Sequence, residues 1–79
     1  MTTEKQLLKI LQENIEGNPK VSLHADLRSE LNLDSFGTIM IINALEDDFN
    51  ITIEDADFEA IHTADDILHI LKEKYHVPN

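Results

Sequence analysis

Three stretches of the chain carry large apolar side chains at helical spacing, and this pattern restricts the fold more than any other feature. Residues 3–16, 35–50 and 64–75 each place such side chains three and four positions apart, so that they share one helical face. No pair of alternating apolar and polar runs joined by a tight turn occurs, so there is no β-hairpin signal. The sequence therefore predicts an all-α fold with three main helices.

Capping and breaking residues predict where the helices begin and end. Thr3 is the predicted cap of the first helix, and Gly17, Asn18 and Pro19 stop it, because proline cannot continue a helix. The second helix is predicted over 35–50, a short helix over 55–61, and a last helix capped by Thr63. The predicted core residues on these helices are Leu7, Leu8, Ile10, Leu11 and Ile15, then Thr38, Ile41, Ile42, Leu45 and Phe49, then Phe58 and Ile61, and finally Ala64, Ile67, Leu68, Leu71 and Tyr75.

Residues 20–33 fit neither a helix nor a strand. Their apolar residues are too regular for a disordered linker, which predicts a long ordered loop held to the core, with a helical turn near 26–30. The apolar residues concerned are Val21, Leu23, Leu27, Leu31 and Leu33. A connection of this length inside a small domain is uncommon and is often functional.

Length and composition restrict the class of protein. The 79 residues make one domain, 1–79, with a thin core and little room for an enclosed active site, so we do not expect an enzyme. Cysteine is absent, which excludes disulfides and thiolate metal sites. No apolar run is long enough to span a bilayer, so we expect a soluble, cytoplasmic protein without membrane insertion. We also expect the protein to be a monomer.

Charge is concentrated in the middle of the chain. The net charge is −10, and the interval from 29 to 71 holds eleven acidic residues and no lysine or arginine. Such a region repels nucleic acid and attracts basic protein surfaces, because the field of the whole region acts on an approaching partner. We therefore expect protein partners with basic patches and no nucleic acid.

Ser35 is the candidate for chemical modification. It follows the long loop and opens the second helix, but Asp34 is already a good cap, so Ser35 is not needed for capping. A phosphodiester on its hydroxyl would lie near the positive end of the helix dipole.

The outer face of the second helix is the candidate surface for partners. Opposite the core face, this helix displays large apolar side chains next to Ser35, together with an amide and acidic side chains. An exposed apolar cluster with a charged border is a common form of protein interaction site. The residues of this candidate surface are Phe36, Ile39, Met40, Asn43, Glu46 and Asp47.

The sequence gives no sign of a catalytic site or a metal site. A Gly-x-Ser-x-Gly motif is missing, since glycine occurs only at 17 and 37. His62, His69 and His76 recur every seven residues, so on one helix they would lie roughly 10 Å apart, too far to share a metal ion.

Four segments of the chain form a recognisable pattern: Leu33-Asp34-Ser35-Phe36, the helix ending in Leu45-Glu46-Asp47-Asp48-Phe49, the Ile51-x-Ile53 connector and the threonine-capped last helix. Together they resemble the acyl carrier proteins. The resemblance covers nearly the whole chain. It implies a four-helix bundle with three main helices, one short helix and a long loop between helices 1 and 2. It also implies that Ser35 carries 4'-phosphopantetheine derived from coenzyme A, with Asp34 as part of the attachment motif. The implied partners are a phosphopantetheinyl transferase and acyl-activating or acyl-transferring enzymes.

Two departures from the commonest carriers concern the cargo. Gly37 and Met40 stand where fatty-acid carriers often have acids, which removes charge from the usual docking face. The cargo implied by the resemblance is an acyl thioester of fatty-acid, specialised-lipid or polyketide synthesis. Because Asp-Ser-x-Gly-Thr is also similar to D-alanyl carrier proteins, an aminoacyl (D-alanyl or peptidyl) carrier is the alternative. An unmodified acidic adaptor that only binds proteins is the alternative of another class.

Overall fold

The computed structural model describes residues 2–79, and over these residues the chain forms four helices. They are α1 (Thr3–Asn14), α2 (Ser35–Phe49), the short α3 (Asp55–Glu59) and α4 (Ala64–Glu73). The described residues contain no strand, only an isolated antiparallel bridge between Asp26 and Thr63. The predicted all-α class, the helix order and the long loop before α2 are confirmed.

Helix α1 starts and ends slightly differently from the prediction. Its cap is Thr2, whose hydroxyl oxygen accepts a hydrogen bond from the Lys5 N–H at 3.2 Å. Thr3 was therefore the wrong cap: it is the first helical residue, it is buried, and its hydroxyl donates to the Pro78 carbonyl. The helix ends at Asn14, before the predicted end at residue 16, because Ile15 is already extended.

The core is built from the predicted helical faces. α1 packs against both α2 and α4. The largest fully buried side chains are Leu7, Leu11, Ile41, Leu45, Ile67 and Leu71, all of which were predicted. Thr38 and Tyr75 were also placed in the core but are only half-buried, because their hydroxyl groups bond to polar partners near the surface.

The start of α4 is fixed by a reciprocal pair of hydrogen bonds. The Thr63 hydroxyl oxygen accepts from the Asp66 N–H at 3.2 Å, and the Asp66 carboxylate accepts from the Thr63 N–H at 3.0 Å. The same carboxylate accepts from the His62 N–H at 2.9 Å. These hydrogen bonds lower the pKa of Asp66 below its usual value, and the one from the His62 N–H contributes most. The prediction of Thr63 as the cap is confirmed.

The long loop is attached to the start of α4 by backbone hydrogen bonds. The Leu27 N–H donates to the His62 carbonyl, and the Asp65 N–H donates to the Leu23 carbonyl, both at 2.9 Å. Val21 and Leu27 are buried, while the other three apolar residues of the loop pack partly against the core. The loop is thus ordered and held to the core, as the spacing of its leucines predicted.

Within the loop, Asp26 organises the predicted helical turn. The Glu30 N–H donates to the Asp26 carbonyl at 3.1 Å, which closes one helical turn. The Asp26 carboxylate accepts from the Ser29 N–H at 2.8 Å and from the Arg28 N–H at 2.9 Å. These two bonds lower the pKa of Asp26. The turn near 26–30 is confirmed.

Helix α3 is tied to the end of α4 through Asp57. Its carboxylate accepts from the Lys74 Nζ at 2.8 Å and from the Tyr75 hydroxyl at 2.7 Å. The hydrogen bond from Lys74 is the main reason why the pKa of Asp57 is lowered. Phe58 and Ile61 are buried as predicted, although α3 ends at Glu59 and Ile61 follows it.

We predict that Asp66→Asn weakens the dependence of stability on acid pH. Because the pKa of Asp66 is lowered in the folded state, its ionised form stabilises the fold above the unfolded pKa of about 3.9. That contribution is lost as the pH falls through the lower folded value. The free energy of unfolding of Asp66→Asn, measured by urea titration, should therefore fall less than that of the wild type below about pH 4. The neighbouring exposed acid Asp65 supplies the charge-matched control, Asp65→Asn. Equal pH dependence in the two variants would contradict the assignment.

Candidate functional site

Asp34 determines where α2 begins. Its backbone is extended, with φ −100° and ψ −177°, and its carboxylate accepts from the Gly37 N–H at 2.7 Å. Its carbonyl accepts from the Thr38 N–H at 2.9 Å and from the Thr38 hydroxyl at 2.8 Å. Asp34 is therefore the cap of α2, as the sequence predicted.

Ser35 is the first residue of α2 and its side chain is exposed. Because Asp34 fills the capping role, the Ser35 hydroxyl is open to an approaching enzyme. A phosphodiester on this oxygen would lie beside the first N–H groups of a helix of 15 residues, where the helix dipole stabilises an anion. These residues fit a phosphate-linked group.

The outer face of α2 is exposed next to Ser35. Phe36, Ile39 and Met40 expose 71%, 55% and 42% of their surface. Asn43 and Asp47 are also exposed on this helix. The structure thus brings five of the six predicted partner-binding residues to the surface.

Glu46, the sixth residue, has a structural contact that the sequence did not reveal. It is half-buried, and its Oε2 accepts from the Ile53 N–H at 2.9 Å. This bond holds the connector after α2, which begins at Asn50 with a left-handed φ of 55°. One oxygen of this carboxylate is therefore occupied within the chain.

Gly37 also has a role that the sequence did not reveal. A Cβ at this position would lie 2.9 Å from Leu33 Cδ1 and 3.2 Å from Asp34 Oδ1. The missing side chain lets Leu33 and the capping carboxylate lie close to the helix backbone. A glycine in the first turn of a helix is the signal that could have indicated this, because glycine is unfavourable there unless a close contact requires it.

Two surface depressions adjoin the Asp34 cap, which lines both of them. One, which we call the α1–α2 cleft, has a volume of about 400 Å³ and lies between the end of α1, the loop and the start of α2. The other, which we call the Arg28 groove, has a volume of about 470 Å³. Arg28, Ser35, Thr38 and Ile39 are among the residues that line it. Ser35 itself lines the Arg28 groove, whereas its chain neighbours Asp34 and Phe36 line the α1–α2 cleft.

Neither a metal-binding cluster nor a membrane-spanning helix occurs in the part of the chain that the structure describes. Among residues 2–79, no group of three histidine, cysteine or acidic residues is placed to hold a metal ion. Over the same residues, none of the helices combines the length and the apolar character needed to cross a bilayer.

We predict that Asp34→Ala lowers the free energy of unfolding by about 1 kcal/mol, because the cap of α2 is lost. Asp34→Asn should change it by only a few tenths of that amount, since asparagine caps about as well as aspartate. Urea titrations of the three proteins measure the difference. An alanine variant as stable as the asparagine variant would show that the capping bond does not contribute.

Comparisons with known proteins agree with this geometry. Residues 5–71 match the family model of the phosphopantetheine attachment site. An acyl carrier protein of Cylindrotheca sp. (strain N1) is 38% identical over 73 residues, covering 91% of each chain. An acyl carrier protein of Desulforapulum autotrophicum is 30% identical over 76 residues, covering 94% of this chain and 99% of the relative. A solved structure assigned as an acyl carrier protein from Mycobacterium tuberculosis superimposes with a TM-score of 0.76 at 26% identity, over 82% of this chain and 88% of that one. The chain therefore belongs to the acyl carrier protein family, whose members bear covalently attached 4'-phosphopantetheine and act as carriers, not as catalysts.

Proposed function

We propose that Ser35 is the residue to which 4'-phosphopantetheine is attached, and that residues 1–79 form a single carrier domain. The observation that carries this proposal is the exposed Ser35 hydroxyl at the first position of α2, directly after the Asp34 cap. The match to the attachment-site family over residues 5–71 supports it, because α2 lies within that range.

The chain contributes position and charge stabilisation to this function. When bound, 4'-phosphopantetheine supplies a terminal thiol that holds the cargo as a thioester. Ser35 presents its hydroxyl to the modifying enzyme, and the start of α2 stabilises the negative phosphodiester. Asp34 holds the start of the helix in place, because its carboxylate is engaged with the Gly37 N–H.

The outer face of α2 is the surface that we propose for partners. Members of this family interact with phosphopantetheinyl transferases and with acyl-transferring enzymes. Enzymes of both kinds with basic patches would contact the exposed apolar side chains and the acids beside them. The proposed contact residues are Phe36, Ile39, Met40, Asn43, Glu46 and Asp47. We further propose that the chain acts as a monomer in the cytoplasm.

We propose that the cargo is an acyl group of fatty-acid, specialised-lipid or polyketide synthesis. The relatives named acyl carrier proteins support this class. An aminoacyl cargo is the second candidate. The segment Asp34–Thr38 supports it, because with Gly37 in the first turn α2 has no acid there. Parallel loading assays with acyl-activating and aminoacyl-activating enzymes, read by intact-protein mass spectrometry, distinguish the two candidates.

We predict that incubation with coenzyme A and a phosphopantetheinyl transferase adds one phosphopantetheine mass to the wild type and none to Ser35→Ala. The exposed loop serine Ser29 provides the matched control, and Ser29→Ala should be modified like the wild type. Mass spectrometry of the intact proteins measures the outcome. Modification of Ser35→Ala would remove Ser35 from this role. A chain that no transferase modifies, but that binds a protein partner regardless of Ser35→Ala, would favour the unmodified adaptor.

We predict that Ile39→Ser raises the KM of a carrier-dependent enzyme several-fold and leaves kcat unchanged, because a docking contact is lost while the reacting group is untouched. Ile39 is 55% exposed, so the melting temperature should change little. An unchanged KM at an unchanged melting temperature would exclude Ile39 from the docking surface.

A further inference from the structure

We propose that the α1–α2 cleft is part of the surface that the phosphopantetheinyl transferase binds, so that the docking footprint extends from α2 onto the end of α1. This inference rests on the proposed function of Ser35. It adds Glu13 of α1 and Glu16, which follows α1, to the docking surface proposed on α2.

The cleft has the shape and the lining of a docking site. Its volume of about 400 Å³ can take one or two side chains of a partner. Ile15, Leu33, Phe36 and Met40 give it an apolar lining. An apolar residue of the transferase could therefore enter it without displacing α2.

The charge around the cleft favours a basic partner. Glu13, Glu16 and Asp34 line it, and within the described residues no lysine or arginine does. The groove that Ser35 itself lines contains Arg28, and among residues 2–79 the only acid lining it is Asp34, which it shares with the cleft. A basic patch is thus attracted more strongly to the cleft than to the Arg28 groove, and this difference sets an orientation for docking.

Helix α2 cannot supply this charge near Ser35 by itself. No residue from 35 to 45 is charged, and the first acid along α2 is Glu46, roughly 16 Å from Ser35 along the helix axis. That distance exceeds the screening length of about 8 Å at physiological salt. Apart from the capping residue Asp34, the acids that line the depressions beside Ser35 are therefore Glu13, near the end of α1, and Glu16, which follows α1.

The transferase must also cover this region for steric reasons. A stable interface buries about 800 Å² on each partner, which corresponds to a patch of about 16 Å radius. The cleft is lined by Asp34, Phe36 and Gly37, the residues on either side of Ser35 in the chain. An enzyme that brings Ser35 to its active site therefore lies over or beside the cleft.

The test compares two double variants that remove the same charge. Glu13→Gln/Glu16→Gln removes the two glutamates of the cleft, whereas Glu4→Gln/Glu73→Gln removes two exposed acids, one at the start of α1 and one at the end of α4. A phosphopantetheinyl transferase of broad substrate range modifies each apo protein over a series of concentrations. The cleft variant should show a KM about five-fold above that of the wild type at low salt, the size expected for losing two exposed ion pairs. Its kcat should be unchanged.

The salt dependence gives a second readout. The difference in KM between the cleft variant and the wild type should disappear near 1 M salt, where the screening length is about 3 Å. The control variant should stay within two-fold of the wild type throughout, and circular dichroism melts should show that both variants are folded.

The outcomes separate this inference from the proposed function. Equal KM values in the two double variants would overturn the inference, because only net charge would then matter, and so would a fall in kcat with an unchanged KM. Either result leaves modification of Ser35 intact. A wild-type chain that is not modified, or a Ser35→Ala chain that is, would overturn the proposed function and this inference with it.

Discussion

The hydrogen bond from the Gly37 N–H to the Asp34 carboxylate, 2.7 Å long, is the contact on which the functional part of the structure depends. It fixes the first turn of α2 and thereby makes Ser35 the first helical residue. If Ser35 served as the cap instead, its hydroxyl would point back to the helix backbone and would be occupied. The separation of the capping residue from the attachment residue is what leaves the hydroxyl accessible.

The position of this cap depends in turn on the start of α4. The Leu33 N–H, next to Asp34, donates to the Leu27 carbonyl, and the Leu27 N–H donates to the His62 carbonyl, both at 2.9 Å. His62 lies just before α4, and its N–H donates a hydrogen bond to the Asp66 carboxylate. The start of α4 and the start of α2 are therefore joined through the loop. Because an N–H left unpaired inside a protein is costly, these bonds order a segment that has no helix of its own.

The fold was largely predictable because helical spacing of apolar residues follows directly from burial of one face. The core leucines and isoleucines, the Thr63 cap and the ordered loop could all be inferred in this way. Thr2 and Thr3 could not be told apart as caps, since both are good capping residues and only the packing of Thr3 decides between them. The contact of Glu46 with Ile53 and the close approach of Leu33 to Gly37 depend on where neighbouring segments come to rest. Such contacts follow from tertiary structure and leave little trace in local sequence.

The acids of this chain divide into two groups, and this division decides which of them can act in docking. Asp26, Asp57 and Asp66 each accept hydrogen bonds within the chain, and each has a lowered pKa as a result. Their charge is partly compensated by local donors, so they stabilise loops and helix ends and contribute less to the field outside. Glu13 and Glu16, in contrast, are exposed, so a partner can approach their carboxylates directly. The net charge of −10 therefore overstates the charge that a partner meets, and the position of the exposed acids beside Ser35 matters more than their number.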